Sequence, residues 1–269
     1  MPARNLNDLP TLDTLLAGYA DAPPVVIRDL AIDSRQVSDG CAFLAVEGLT
    51  VHGVEFAEAA MARGAAAIVF DAATADAPAI DASIPIIGVD GLKGALGEIA
   101  GRFFARPSED LAVFGVTGTN GKTTVAWMLA RALTALGDRS AYSGTLGQGI
   151  EPRPAGESMT SPDVIELNRR LSAFRDAGAS AAAIEVSSHA LDQGRVDGIG
   201  FEATLLTNLS RDHLDYHGDM RAYAAAKAKL FVEHEAKHRI VNVDTKFGQA
   251  LVEQLGDDAI TVSMVRTPS

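Results

Sequence analysis

Short apolar runs punctuate the first hundred residues. Residues 30–32, 42–46, 65–70 and 84–89 each have the contiguous apolar character of a buried strand. Helices are predicted between them, over 55–63 with Gly64 as the stop and over 92–104. The stretch Arg106-Pro107-Ser108-Glu109-Asp110 then breaks the pattern with a proline among charges. Such a stretch predicts a boundary, dividing the chain into 1–108 and 109–269.

Beyond it the alternation becomes regular. Residues 111–117 read as a buried strand that runs through a glycine-rich loop into a helix over 122–136. Helical spacing puts Val125, Met128, Leu129, Ala132, Leu133 and Leu136 on one apolar face, and Gly137 closes the helix. Further strands are predicted at 181–186, 203–207, 240–243 and 260–265, with helices at 162–177, 219–235 and 246–255. Strand–helix alternation of this kind predicts an α/β fold, here a mainly parallel sheet covered on both faces. Ligands of such sheets bind outside the carboxyl ends of the strands.

Composition narrows the partners. The 269 residues carry Lys+Arg 23 against Asp+Glu 35, a formal net charge of -12, with no basic stripe. Nucleic acid and anionic membrane surfaces are therefore not expected as partners, and a polyanionic ligand needs a local site. One cysteine, Cys41, excludes an internal disulfide. The N-terminal residues lack the uninterrupted apolar core of a signal peptide, and no run is long enough to insert in a membrane. The cytoplasm is the expected location.

The strongest chemical signal is Gly115-Val116-Thr117-Gly118-Thr119-Asn120-Gly121-Lys122-Thr123-Thr124, between a strand and a helix. Glycines free backbone N–H groups to wrap phosphates, and the helix N-terminus adds partial positive charge. Lys122 is placed to meet the β- and γ-phosphates, and the Thr123 hydroxyl to face Mg²⁺. The generic P-loop pattern asks for glycine where Val116 stands, so the match to that pattern is incomplete.

Two more polar loops follow strands. Glu185-Val186-Ser187-Ser188-His189 ends one and Thr207-Asn208-Leu209-Ser210-Arg211-Asp212-His213 ends the next. Mg²⁺ prefers oxygen ligands, which makes Glu185 the natural donor; a histidine such as His213 is a less usual one.

Together with Tyr223-Ala224-Ala225-Ala226-Lys227, these three loops resemble the Mur ligase family. Ser187-Ser188-His189-Ala190-Leu191 and Arg211-Asp212-His213-Leu214-Asp215-Tyr216-His217-Gly218 resemble the branch that adds the third peptide residue of the cell-wall precursor. Asp33-Ser34-Arg35-Gln36-Val37, with Gly40, Phe43 and Gly48, is similar to that branch's uridine-binding domain. The resemblance implies a small N-terminal α/β uridine-binding domain followed by a P-loop-type ATPase domain. It also implies that the ATPase domain is incomplete and that the family's C-terminal amino-acid-binding domain is absent.

The implied reaction joins a diamino acid, meso-diaminopimelate or L-lysine, to UDP-MurNAc-L-Ala-D-Glu through an acyl phosphate, with ATP and Mg²⁺. A monomer is expected, and the chain by itself is expected not to complete the ligation. By resemblance, Ile32, Ser34, Leu49, Thr50 and Val51 contact the UDP-sugar, and Gly118, Thr119, Asn120, Gly121, Lys122, Thr123 and Thr124 hold ATP. Thr160, Ser161, Ser187, Gln193 and Arg195 contact the sugar–dipeptide. Thr123, Glu185, His213 and Lys227 serve the metal, Lys227 as a carbamate, with Lys122, Lys227 and His213 as the catalytic set.

Two positions depart from the family: Met159, where relatives have asparagine, and His52, where they have aspartate. Two other readings stay open, a non-catalytic nucleotide or UDP-precursor binder and a sister ligase of the folylpolyglutamate type.

Overall fold

A computed structural model describes residues 9–48, 50–81, 83–150 and 160–265. The chain forms two compact units, Met1–Arg106 and Pro107–Ser269. Leu49 and Met159 lie outside the described residues.

The first unit holds a four-stranded parallel sheet in the order β1 (Asp29–Ala31), β2 (Cys41–Ala45), β3 (Ala67–Asp71), β4 (Ile86–Val89). Strands β2 and β3 are buried along their whole length, so contiguous apolar runs rather than alternation encode them. The segment predicted as one helix over 55–63 is two, a 3₁₀ turn Gly53–Phe56 and an α-helix Ala57–Ala62. His52 starts the 3₁₀ turn, its Nδ1 accepting from Val54 N (3.2 Å). The imidazole thus does what an aspartate carboxylate does at an N-cap.

Asp71 ends β3 as a buried carboxylate and accepts from Ala73 N (3.2 Å), Gly91 N (3.0 Å) and Lys93 N (3.3 Å). It ties the loop after β3 to the start of the Leu92–Phe103 helix. Asp71→Ala would strand these donors, and roughly 2–3 kcal/mol of stability should be lost. Urea denaturation of the chain would check this; a change under about 0.5 kcal/mol would rule the tie out as a stabilising element.

The second unit carries a seven-stranded sheet in the order β11-β10-β9-β5-β8-β6-β7. Its strands are β5 (Ala112–Thr117), β6 (Ser140–Gly144), β7 (Gly147–Ile150), β8 (Ala181–Glu185), β9 (Phe201–Leu206), β10 (Ala236–Asn242) and β11 (Ala259–Val262). All neighbours pair in parallel except β6 and β7, a hairpin closed by Thr145 and Leu146. In β8 every residue is buried and the first three are alanines, small enough for helices to press onto the sheet. Strand β5 lies between β8 and β9, so the chain reverses its direction of travel across the sheet around β5. Loops diverge at such a point and leave a crevice outside the carboxyl ends.

The sequence carries no signal for the hairpin β6–β7, because Ser140-Ala141-Tyr142-Ser143-Gly144 offers no apolar run. In the Lys122–Ala135 helix the predicted apolar stripe is buried only in part: Val125 and Leu129 pack against the core, Met128 is 63% and Leu136 82% exposed, and the fully buried positions are Ala126 and Ala130. The helix approaches the sheet through its alanines, which join Val116, Tyr142 and Ala183 in one apolar cluster. Close approach selects small side chains at the centre of the contact, while Val125, Trp127 and Leu129 pack partly buried against the same cluster.

Candidate active site

The crevice begins where β5 ends. Gly118 adopts φ +146°, and a Cβ there would collide with the Thr207 hydroxyl. Gly121, at φ +84°, caps the Lys122–Ala135 helix. Only glycine takes both conformations without strain, and the loop needs them to turn its backbone inward.

Residues after β9 brace the loop. Asn208 O accepts from Thr119 N (3.0 Å) and Asn208 Oδ1 from Asn120 N (3.1 Å). Asn208 Nδ2 (3.0 Å) and Thr207 Oγ1 (2.7 Å) both donate to Asn120 O. Thr119 is buried, and its hydroxyl accepts from Ser210 N (2.9 Å) and lies 3.1 Å from the Tyr223 hydroxyl. Thr124 is exposed on the first turn of the helix.

Two ammonium groups meet at this loop. Lys122 Nζ donates to Gly118 O and Thr119 O, both at 3.0 Å. Lys227 Nζ donates to Gly118 O at 2.8 Å. Burial lowers the Lys122 pKa, against the pull of Glu185 and Asp212. Lys227 is 1% exposed, and its pKa is pushed down to about 7, first by burial and then by Lys122, with Asp212 opposing.

Opposite Lys122 stands Glu185, 2% exposed at the end of β8. Its Oε1 accepts from the Tyr142 hydroxyl and from Thr145 N (2.8 Å). Its Oε2 accepts from the hydroxyls of Thr123 (2.8 Å) and Thr145 (3.3 Å). The phenol of Tyr142 is pushed above its ordinary range by burial and by the Glu185 contact. Thr123 and Glu185 together present hard oxygen donors suited to Mg²⁺.

His213 lies on the loop after β9. It takes the left-handed region at φ +51°, exposed, with its ring edge-on to His189 at 5.0 Å and to Tyr223 at 6.1 Å. Among the described residues no group of three or more His, Cys, Asp or Glu side chains stands ready to hold a metal. His189 and His217, beside it, have lowered pKa values, chiefly from burial.

A second polar group lies beyond Glu185. Ser161 Oγ donates to Glu185 O (3.0 Å) and accepts from Ser187 N (3.1 Å), and Ser187 Oγ caps the Ser188–Asp192 helix through Ala190 N (3.1 Å). Arg195 donates from Nη1 to Ser161 O (2.8 Å) and from Nε and Nη2 to Gln193 Oε1 (3.0 and 2.6 Å). Thr160 reaches the same group through Thr145 Oγ1 at 3.4 Å. Lys122, Thr123, Thr160, Ser161, Glu185, Ser187, Gln193, Arg195 and Lys227 therefore belong to one connected rim.

In the first unit Ile32 and Ser34 follow β1, and Thr50 and Val51 follow the adjacent β2. They share the carboxyl edge of two neighbouring parallel strands. Asp33 caps the turn at Ser34 by accepting from Arg35 N (2.9 Å). Thr50 and Val51 are exposed.

Of the bracing and orienting residues, Thr207, Asn208 and Tyr223 lie in motifs the sequence shows but received no role of their own, and Tyr142 and Thr145 were not named at all. Asn208 follows a predicted strand and was open to notice, but Tyr142 and Thr145 belong to the hairpin that had no strand signal. A cavity of about 660 Å³ opens at the opposite edge of the sheet, near Ala112, Phe201 and Ala236. It lies at the amino ends of the strands and contains none of the loops just described, so the carboxyl edge is the candidate site.

A glycine-rich strand-to-helix loop on the middle strand of a parallel sheet, with lysine in the first helical turn, defines a P-loop α/β protein. The description "Mur ligase middle domain" matches residues 116–267, and "Mur ligase family, catalytic domain" matches 26–104. The chain belongs to the Mur ligase family.

It is 48% identical over 246 residues to a UDP-N-acetylmuramoyl-L-alanyl-D-glutamate--2,6-diaminopimelate ligase of Xylella fastidiosa (strain 9a5c), covering 91% of this chain and 49% of that protein. A Pseudomonas aeruginosa protein of the same name is 47% identical over 242 residues, 89% of this chain and 49% of its own length. A solved structure of that name superposes with a TM-score of 0.81 at 28% identity, covering 97% of this chain and 54% of the other. The chain spans about half the length of the curated relatives it matches. No helix among the described residues is long and apolar enough to cross a membrane.

Proposed function

We propose that this chain carries the uridine-nucleotide-binding and ATP-binding parts of a ligase that adds a diamino acid to UDP-MurNAc-L-Ala-D-Glu. Diaminopimelate is the acceptor we assign, because relatives of 47–48% identity carry it in their names. The observation that carries the reading is the meeting of Lys122, Lys227, Thr123 and Glu185 around one phosphate loop. Residues 1–108 would serve the UDP-sugar and 109–269 the ATP.

In this reading the substrate's carboxylate oxygen attacks the γ-phosphorus of ATP and the bond to the bridging oxygen breaks. ADP leaves and an acyl phosphate remains. An amine then attacks the acyl carbon, the carbon–oxygen bond to phosphate breaks, and the amine nitrogen loses a proton. A free carboxylate is a poor electrophile, so the first step provides the leaving group. Lys122 contributes charge at the phosphates, and Gly118 to Thr124 contribute N–H donors and position. Ser161, Ser187, Gln193 and Arg195 would orient the peptide end, the Arg195 fork suiting an anion.

Mg²⁺, when bound, would neutralise phosphate charge and align the reacting oxygens. Thr123, Glu185 and a carbamate on Lys227 would hold it, with His213 as a further donor. The carbamate forms when the neutral Lys227 amine attacks carbon dioxide and releases one proton. Burial that lowers the lysine pKa to about 7 favours the neutral amine.

The chain should bind UDP and ATP independently. Ser34→Tyr fills the edge beside Thr50 and Val51 and is expected to weaken UDP binding at least tenfold while ATP affinity is unchanged. Calorimetric titration of the 269-residue chain with each nucleotide is the check. Undiminished UDP binding by a folded Ser34→Tyr chain would remove this edge as the uridine site.

A further inference from the structure

Glu185 is more tightly tied than its proposed task requires. A carboxylate has about four lone-pair sites. All are engaged, by the Tyr142 hydroxyl and Thr145 N on Oε1 and by the hydroxyls of Thr123 and Thr145 on Oε2. The two oxygens differ in kind. Thr145 N is a fixed backbone donor. The Tyr142 hydroxyl is held too, since it also accepts from Leu146 N at 3.3 Å and its ring is fully buried, edge-on to Trp127 at 5.5 Å. The donors on Oε2 are threonine hydroxyls, whose protons rotate freely.

Gly144 adds a second constraint. A Cβ at that position would collide with Glu185 Oε1 and would stand 2.5 Å from the Tyr142 hydroxyl. The hairpin therefore approaches Glu185 as bare backbone on one side and as a phenol on the other.

We propose that Tyr142 is a positioning residue that pins Oε1 of Glu185 and so presents Oε2 alone to the metal. The inference rests on the reading of Glu185 and Thr123 as Mg²⁺ donors. When a cation arrives, the Thr123 and Thr145 hydroxyls turn their protons away, and Thr123 offers its own oxygen. Oε1 stays bonded to Tyr142 and Thr145 N. One oxygen of Glu185 then binds, at a place fixed before the metal comes. Without the phenol, the carboxylate could turn about its terminal torsion, which is broad and soft.

Tyr142→Phe is the discriminating variant, because it deletes one oxygen and keeps the ring against Trp127. Mn²⁺ serves as the probe, with its bound fraction read by electron paramagnetic resonance with and without ATP. The chain has a single tryptophan, so Trp127 emission separately reports that the local packing is intact. The expected result is an approximately tenfold weaker Mn²⁺ affinity in the presence of ATP, the size of one lost hydrogen bond to a charged group. ATP affinity without metal and Trp127 emission should match the wild type, while the thermal midpoint falls only by what one lost buried hydrogen bond costs.

Gly144→Ala should weaken Mn²⁺ in the same way, by pushing Oε1 off its seat. Equal Mn²⁺ affinity in wild type and Tyr142→Phe overturns the proposal, and so does a loss of metal-free ATP binding or of packing that accounts for the change. A wild-type chain that binds ATP but shows no Mn²⁺ dependence overturns the metal reading itself, and this inference with it.

Discussion

Lys122→Ala is expected to lower the affinity of the chain for Mg-ATP by about a hundredfold or more. The ammonium is the charge that the loop directs at the phosphates. Its Nζ donates to Gly118 O and Thr119 O, which hold it at the loop. A charge-assisted contact in a partly buried site contributes about 1.5–3 kcal/mol, and a triphosphate offers more than one oxygen to it. The fold should survive, since Gly118 O retains Lys227 as a donor.

Lys122→Arg should not restore binding, because a planar fork cannot follow the short path of a flexible ammonium into this loop. Titration with a fluorescent ATP analogue reads the effect, and UDP affinity serves as the internal control. Equal ATP affinities in the two chains would sink the loop assignment.

Lys227→Met should change how stability depends on pH. The sign follows from linkage. In the folded chain the Lys227 pKa is pushed down to about 7, whereas the unfolded chain holds an ordinary lysine near its usual value. Below pH 7 both states are protonated, and the wild type bears the full cost of a buried charge. Between about pH 7 and about 10 the unfolded state binds more protons, so wild-type stability rises with pH, by up to about 1.4 kcal/mol per pH unit from this group. Methionine has similar length and no charge. The variant should thus be more stable than the wild type at pH 6.5, by a few kcal/mol, and the gap should close as pH rises toward 9.5.

Urea unfolding of both chains in carbon-dioxide-free buffer at four pH values measures the difference. A gap that does not vary with pH would count against a titrating buried amine. The same lysine should give a carbamate signal in ¹³C NMR with labelled bicarbonate, stronger above pH 7 than below it and missing in Lys227→Met. No signal at any pH would leave Lys227 as a buried amine and nothing more.

Much of this protein is written locally. The phosphate loop is legible because strand, glycines, lysine and helix start are contiguous in ten residues, and each conformation there has a residue that prefers it. The Lys246–Leu255 helix has the predicted ends because a threonine cap and a glycine stop bound it. Buried strands such as β2, β3 and β5 announce themselves through apolar runs. So do the two loops after β8 and β9, whose polar residues begin where those runs stop.

Other features have no local signal. Tyr142 sits in a strand of small and polar residues that owes its existence to pairing with β8, and its contact with Glu185 spans 43 positions. The Lys122–Ala135 helix looks amphipathic along one stripe, yet its fully buried positions are two alanines outside that stripe, since the distance to the sheet selects what fits directly beneath it. Lys227 reads as an ordinary lysine on an alanine-rich helix until that helix buries it beside Lys122 and lowers its pKa.

The sequence by itself determined the contiguous apolar strands, the glycine-rich loop with its helix start and the polar residues that follow two of those strands, because backbone preference and hydrophobic period act over a few residues. Which of those residues face one another was decided by the order β9-β5-β8, because only that order brings three loop ends, far apart in the chain, to one edge of the sheet.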